Sequence, residues 1–352
     1  MSPVTILIAF LVFGLLIFVH ELGHFVAAKL SGIQVNEFAL GMGPKIISFV
    51  RGETRYSLRL FPVGGFCAME GQDGEDGESD NPRAFGRVKI WKRFVTLSAG
   101  SAMNFALGFI LLIILSANLS LIATNEVAMF HESATSNQWL MERDVITRVN
   151  GSRVRTLNDI EYEFFRSRDG VVDLEVMRAG ERVQLSGVTF QMHEIDGISV
   201  MIRDFWVVGV PPSTAGDIIS NAANWTVSVV RMVWGSLIDL ATGRFGFNQI
   251  SGPIGVTTAI GDAVATGLET SVRDGILNLM LFVSFITVNL GIFNLLPFPA
   301  LDGGRIMFLG IEGIRRKPVP VKFETAVNAV GFLLLIVLIV AVTVNDVFRL
   351  FR

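Results

Sequence analysis

The chain has 352 residues, 51% of them hydrophobic and only 17% charged, with a net charge of −3 and a mean hydropathy of +0.54. Soluble chains carry about 25% charged residues, so a wholly soluble protein is excluded, and the apolar content excludes disorder. The single cysteine, Cys67, excludes a disulfide scaffold and a cysteine-rich metal cluster, and the near balance of charge gives no electrostatic case for nucleic acid.

A membrane-crossing helix needs about 20 mainly apolar residues. Four stretches meet that need, at 4–30, 94–115, 276–296 and 326–344. The first lacks a basic leading region and a small-residue cleavage site, and it continues through His20, Glu21 and His24. It therefore reads as a span and not as a removable leader. Between the first two spans, glycines at 41, 43, 52, 64 and 65 punctuate β-like runs such as 56–60, and 73–80 is an acid- and glycine-rich linker.

The stretch 125–191 reads as a compact α/β module. Residues 145–149 alternate like a strand, Asn150-Gly151 is a turn signal, and 157–165 has helical spacing. Two further strands are expected at 171–176 and 183–188, joined through Arg178-Ala179-Gly180-Glu181. In segment 218–240 the apolar face is interrupted by Asn221, Asn224 and Arg231. This predicts an amphipathic helix on or against the membrane, with a fifth span as the alternative. The chain thus divides into 1–124, 125–191, 192–274 and 275–352.

Orientation follows from the basic residues near the span ends. The loop after the first span carries Lys29, Lys45, Arg51, Arg55, Arg59, Arg83, Arg87, Lys89, Lys92 and Arg93. The loop after the third carries Arg305, Arg315, Arg316, Lys317 and Lys322. Both loops are expected in the cytoplasm, which leaves the termini and the central module outside.

The sharpest chemical signal is His20-Glu21-Leu22-Gly23-His24, an H-E-x-x-H. Residues four apart share a helix face, about 6 Å along the axis, so both imidazoles can reach one zinc ion. Glu21 is then placed to take a proton from water activated by the metal. Two of the chain's four histidines lie in this motif, inside an apolar span, where ionisable groups are costly and functional. His131 and His193 read as surface residues. A catalytic zinc needs a third protein ligand. Asp302 stands out, because it follows the third span at the end expected to match the depth of His24. Pro297 and Pro299 just before it would break the helix and free backbone groups for pairing with an extended substrate.

With these motifs the sequence resembles the site-2 protease family of intramembrane zinc metalloproteases, in its bacterial branch with one extracytoplasmic PDZ domain. The resemblance also rests on Asn294 through Gly303, an N-x-x-P-x-P-x-L-D-G, on Gly41-Met42-Gly43-Pro44, on residues 61–66, and on Ser251-Gly252-Pro253-Ile254-Gly255. It implies an α-helical polytopic membrane protein with four transmembrane helices, a membrane-reentrant β-hairpin at 41–66 and an inserted PDZ-like domain. It further implies His20, His24 and Asp302 as ligands of one zinc ion and Glu21 as catalytic base. Asn289 and Asn294 would contact substrate or active-site backbone.

The implied setting is the bacterial inner (plasma) membrane, with lipid around the spans. Implied substrates are single-span membrane proteins, such as an anti-sigma factor or a signal-peptide remnant. Two departures stand out. Gly100-Ser101-Ala102-Met103-Asn104 lacks the family's Gly-Pro, which leaves Asn104 without an assigned role, and Trp139 and Arg143 occupy positions where the PDZ pattern has glycine. The outer domain is therefore expected to act as a steric filter. The competing readings are a zinc transporter, which would show repeated halves with paired broken helices, and a PDZ-based scaffold without catalysis.

Overall fold

The computed structural model describes residues 3–72, 79–195, 198–244, 246 and 252–350. Most of the acid-rich linker, 73–78, and Ser251 lie outside the described residues. The chain forms two compact units, one of Met1–Leu111 with Ile238–Arg352 and one of Leu112–Leu237.

The first unit opens with helix α1 (Pro3–Ser31), whose buried residues Ala9, Val12, Leu16, His20, Gly23 and Ala27 recur every three or four positions. That spacing is one face of an α-helix, so the histidine motif sits on the packed stripe. Strands β1 (Val35–Arg51) and β2 (Thr54–Met69) follow. They are much longer than the short runs the sequence suggests, because each bends and pairs twice. Residues 37–40 pair with 65–68 on one side, Glu37 with Ala68 through Leu40 with Gly65. On the other side the same residues meet 55–58, and 55–58 in turn meets 47–50. The result has 65–69 at one edge and 47–51 at the other. Gly41 and Gly43, at φ +83° and +84°, permit the bend. Ile33, Val35, Phe38, Cys67 and Met69 form its buried core with Ala28 of α1. The far part of the ribbon exposes Met42, Ile46, Ile47, Phe49, Val50 and Phe61.

Helix α2 (Ile90–Asn118) runs from the first unit into the second. The second unit holds β3 (Ile122–Phe130), β4 (Val145–Val149), β5 (Ser152–Arg153), helix α3 (Leu157–Arg166), β6 (Val171–Arg178) and β7 (Glu181–Thr189). A small hairpin of β8 (Met192–Ile195) and β9 (Ile198–Met201) precedes β10 (Phe205–Val210). The main sheet has the order β10-β3-β4-β6-β7, with β5 paired to β4. The expected strands and helix of the central module are present. Asn150 and Gly151 make the expected turn, both with positive φ. The sheet also takes in β3 from Ile122 and β10 at Phe205–Val210, on either side of the 125–191 stretch. Ile146, Val149, Ile160, Phe164, Val176, Val188 and Phe205 are at the centre of its core.

Helix α4 (Ala215–Ala241) closes this unit through Leu237. It is amphipathic as expected, but its polar side faces the module. Ser228 Oγ donates to Asp159 at 2.8 Å, and Arg231 pairs with Asp159 at 3.1 Å and Glu163 at 3.4 Å. Among the described residues four helices are long and apolar enough to cross a membrane, α1, α2, α6 (Val272–Leu295) and, within α8 (Val321–Leu350), residues Lys322–Phe348, and α4 is not one of them.

Back in the first unit, α5 (Pro253–Thr270) packs on α6. Asp346 of α8 accepts hydrogen bonds from the Gly252 and Gly255 N–H groups at 3.1 and 2.9 Å, so a carboxylate from another helix caps α5. That is the physical role of the Gly252-Pro253-Ile254-Gly255 motif. Ile260 of α5 and Val283 of α6 complete a buried cluster with Ala9, Val12 and Leu16 of α1. The amphipathic helix α7 (Asp302–Arg315) lies between α6 and α8 in the chain. Arg93 of α2 is buried and holds Glu312 of α7 with two hydrogen bonds, at 2.9 and 2.5 Å.

Candidate metal centre

The buried face of α1 presents His20 and His24 one turn apart, with their Nε2 atoms 3.2 Å from each other. Asp302, the first residue of α7, places Oδ2 3.1 Å from each Nε2. Zinc bonds of about 2.0–2.1 Å at tetrahedral angles separate neighbouring donors by about 3.3 Å. Three donor atoms on three near-equal edges fit that ion.

The imidazoles are also oriented for it. The His24 Nδ1–H donates to the Thr96 carbonyl of α2 at 2.8 Å, which leaves the Nε2 lone pair facing the centre. His20 Nδ1 lies 3.1 Å from the side-chain amide of Asn104. The Asn104 Oδ1 is buried without a partner. Turning that amide over lets the His20 Nδ1–H donate to Oδ1 and satisfies both groups at once. Asn104 therefore belongs to the site although the sequence pattern left it unassigned. The signal available was an asparagine in an apolar span, which is costly without a partner.

Gly100, one turn before Asn104 on α2, shows how tightly the centre is enclosed. A Cβ there would lie 2.4 Å from His24 Nε2 and 2.8 Å from His20 Nε2. Gly100→Ala is expected to lose bound zinc and activity together, while Gly86→Ala, in open space, keeps both. Metal analysis of the purified variants checks this, and normal zinc in Gly100→Ala would exclude the close approach of α2.

The approach to Asp302 is built by the segment the two prolines interrupt. α6 ends at Leu295, and Pro299 packs on Gly331 of α8, where a Cβ would meet its own Cβ at 2.5 Å. Ala300 adopts φ +73°, and its N–H donates to Asn328 Oδ1 of α8 at 3.1 Å. Gly303 and Gly304 have no room for a side chain, since a Cβ would meet the Leu296 and Phe298 carbonyl oxygens at 2.1 and 2.4 Å. The Asp-Gly-Gly sequence is thus a packing requirement that aims the carboxylate at α1.

A cavity of about 290 Å³ opens beside the donors and is lined by Glu21, Asn294, Gly64 and Gly65, among others. The Asn294 Nδ2 lies 3.4 Å from His20 Nε2. A backbone hydrogen bond from Cys67 reaches the Glu21 carboxylate, so the edge segment 65–69 runs beside it. Asn289 is exposed on α6 and does not line the cavity, and Pro297 is also exposed. Of the residues singled out in the sequence, the structure gathers His20, Glu21, His24, Asn294 and Asp302 and leaves Asn289, Pro297 and Pro299 aside.

Three donor atoms spaced for one metal ion, with an adjoining carboxylate among apolar helices, fit a membrane-embedded metallohydrolase. The model of peptidase family M50 matches residues 8–338. A protein of Clostridium perfringens named as a zinc metalloprotease is 37% identical, covering 97% of this chain and 98% of the relative. The zinc metalloprotease RasP of Shouchella clausii and the regulator of sigma-W protease RasP of Bacillus subtilis are each 30% identical, over 99% of both chains. The chain belongs to the M50, or site-2 protease, family. It is an intramembrane zinc metalloprotease that hydrolyses peptide bonds in or near membrane-spanning segments.

Proposed function

We propose that His20, His24 and Asp302 hold the zinc, that Glu21 is the general base, and that the substrate is an unwound segment of a single-span membrane protein. The convergence of three donor atoms within 3.2 Å beside Glu21 carries this reading. Zinc supplies Lewis acidity, which polarises a carbonyl and brings the pKa of water towards neutrality. Glu21 accepts the proton of the attacking water and returns it to the departing amine. The Asn294 side-chain amide, in the same cavity, donates a hydrogen bond to the bound chain. Thr96 and Asn104 keep the imidazoles in the metal-binding tautomer.

Peptide groups in a helix are hydrogen-bonded to one another, so the substrate must be extended before attack. The edge segment 65–69 beside Glu21 has ladder partners on one side only among the described residues and offers its other side to an added strand. The apolar residues Met42 to Phe61 of the ribbon support its insertion into the bilayer as a reentrant hairpin. Asn289, Pro297 and Pro299 line no part of the cavity beside the donors, so the contacts expected of them with the bound chain lie beyond it.

The outer module is a PDZ-like domain acting as a steric filter. A carboxylate-binding loop needs free converging N–H groups, yet those of Trp139, Leu140, Met141, Arg143 and Asp144 all have acceptors within the module. Arg143, where the pattern has glycine, holds φ +68°. One class of substrate is an anti-sigma factor, in keeping with the name of the Bacillus subtilis relative.

Purified protein should cut a single-span substrate, stop on zinc chelation and resume when zinc is restored. Cleavage that survives chelation overturns the proposal, and zinc flux without cleavage favours a transporter. The basic loops support a plasma-membrane topology with the termini and the outer module outside. Cys67 is the single cysteine and is buried, which permits a clean test. Arg87→Cys and Lys317→Cys should label only from the cytoplasm and Glu181→Cys only from outside. The reverse pattern would invert the topology.

A further inference from the structure

The second unit carries a cleft of about 490 Å³, within the range of ligand pockets. Its lining includes Arg148, Arg153, Arg155 and Arg182, against a single carboxylate, Glu175. Arg148 lies 3.7 Å from Glu175 and donates to the Gly151 carbonyl. Arg153, Arg155 and Arg182 are exposed and have no carboxylate partner among the described residues. Asn125 also lines the cleft, and its Oδ1 is buried without a hydrogen-bond donor. Unpaired guanidinium groups call for an anion, and the orphaned oxygen calls for a hydroxyl or amine on the same ligand.

The surroundings name the kind of anion. Asn224 of α4 forms one wall. Three residues further on, and so on an adjacent part of the helix surface, Val227 begins an apolar row with Ile219 and Trp234. These are 44%, 51% and 46% exposed. On a wheel of about 100° per residue they fall within about 80° of arc. Asn221 of the same helix donates to Ser116 Oγ at 2.9 Å, and Ser116 lies in the last turn of the spanning helix α2. The basic cleft and the apolar row therefore adjoin each other at the level where a span ends. An aromatic-containing apolar face with basic groups at its rim is the pattern of an interfacial helix.

We infer that this cleft binds the headgroup of an anionic phospholipid with a polyol head, of the phosphatidylglycerol type. The phosphodiester lies among Arg153, Arg155 and Arg182, a head hydroxyl donates to Asn125 Oδ1, and the acyl chains lie along Ile219, Val227 and Trp234. This site lies wholly in the second unit and uses none of the metal-centre residues, so its test is independent of catalysis. An acidic peptide would satisfy the arginines but would leave the apolar row unused.

The test is lipid retention by the full chain. Protein reconstituted in equal parts of phosphatidylcholine and phosphatidylglycerol is extracted in mild detergent, and the co-purifying lipids are counted. The wild type should be enriched in phosphatidylglycerol. Arg153→Gln/Arg155→Gln/Arg182→Gln should bring the ratio down by tenfold or more, since one arginine near an anionic surface contributes roughly a factor of five. Equal thermal stability of both proteins in phosphatidylcholine alone shows that the fold is kept. If the triple variant fails to fold, Arg182→Gln alone, on exposed β7, should still give about a fivefold drop.

Unchanged enrichment in these variants overturns the site. Soluble glycerophosphoglycerol competing as well as the intact lipid would show that the apolar row adds nothing, and the lipid assignment falls. Arginine-dependent binding of a glutamate-rich peptide, without lipid enrichment, overturns it in favour of an acidic polypeptide.

Discussion

A Glu21→Gln protein is expected to retain its zinc and to lose peptide cleavage by about 10²–10⁴-fold, the usual contribution of a positioned general base. The amide has nearly the shape of the carboxylate, so it should fit against Gly65, where a Cβ would already lie 3.3 Å from Glu21 Cγ. It cannot accept a proton. The three donor atoms come from other residues, so metal content should be unchanged. Substrate binding should also persist, because the contacts proposed for it are made by the edge strand and by Asn294. Three measurements on one sample separate the outcomes: zinc per chain, substrate capture and product formation. Normal turnover with normal zinc would remove Glu21 from the mechanism. Lost zinc would instead mean that Glu21 supports the metal site, and its role as base would need a different variant to establish.

Much of this centre was readable in the chain because its information is local. Two imidazoles four residues apart on an apolar helix share one face whatever the fold. The N-x-x-P-x-P-x-L-D-G segment likewise carries its own geometry, with prolines ending α6 and glycines letting the start of α7 approach the preceding carbonyls. The four helices long and apolar enough to span, among the described residues, followed from length and hydropathy, and the strands of the central module from alternation and turn residues. What remained hidden is what depends on distant contacts. Nothing in the composition of α2 tells which of its faces meets α1, so Gly100 and Asn104 gained meaning only from the crossing of the two helices.

The pairing of β10 with β3 joins Phe205 to Phe130 across a gap of 75 residues, and neither strand announces its partner. The double pairing of residues 37–40 is equally invisible, since short β-like runs separated by glycines do not reveal that they stack into one bent ribbon. The amphipathic character of α4 was legible, but its direction was not. Its polar residues proved to satisfy Asp159 and Glu163 of the module, which turned the apolar side outward.

The other large effect is expected at Asp302, the proposed third ligand. Asp302→Ala should abolish cleavage and release the zinc, with a loss of affinity well beyond the 10–100-fold that removal of an outer-shell partner costs. Two helical imidazoles alone leave half the coordination sphere to solvent, and they sit in a centre closed by Gly100. The variant should otherwise keep its fold. α7 is positioned by the close contacts of Gly303 and Gly304, by the Ala300 hydrogen bond to Asn328 and by the buried Arg93–Glu312 pair, and none of these uses the Asp302 side chain. Metal-free Asp302→Ala and metal-free wild type should therefore unfold at similar temperatures.

Asn104→Ala provides the graded comparison. It removes only the group that orients His20 Nδ1, so zinc affinity should fall within that 10–100-fold range and activity should return when zinc is raised. An Asp302→Ala protein that binds zinc normally and still cuts would show that another oxygen donor completes the site. If excess zinc rescues Asp302→Ala as fully as Asn104→Ala, Asp302 acts through the histidines and not on the metal. Restoration confined to Asn104→Ala is the result expected of a direct ligand at 302 and an orienting partner at 104.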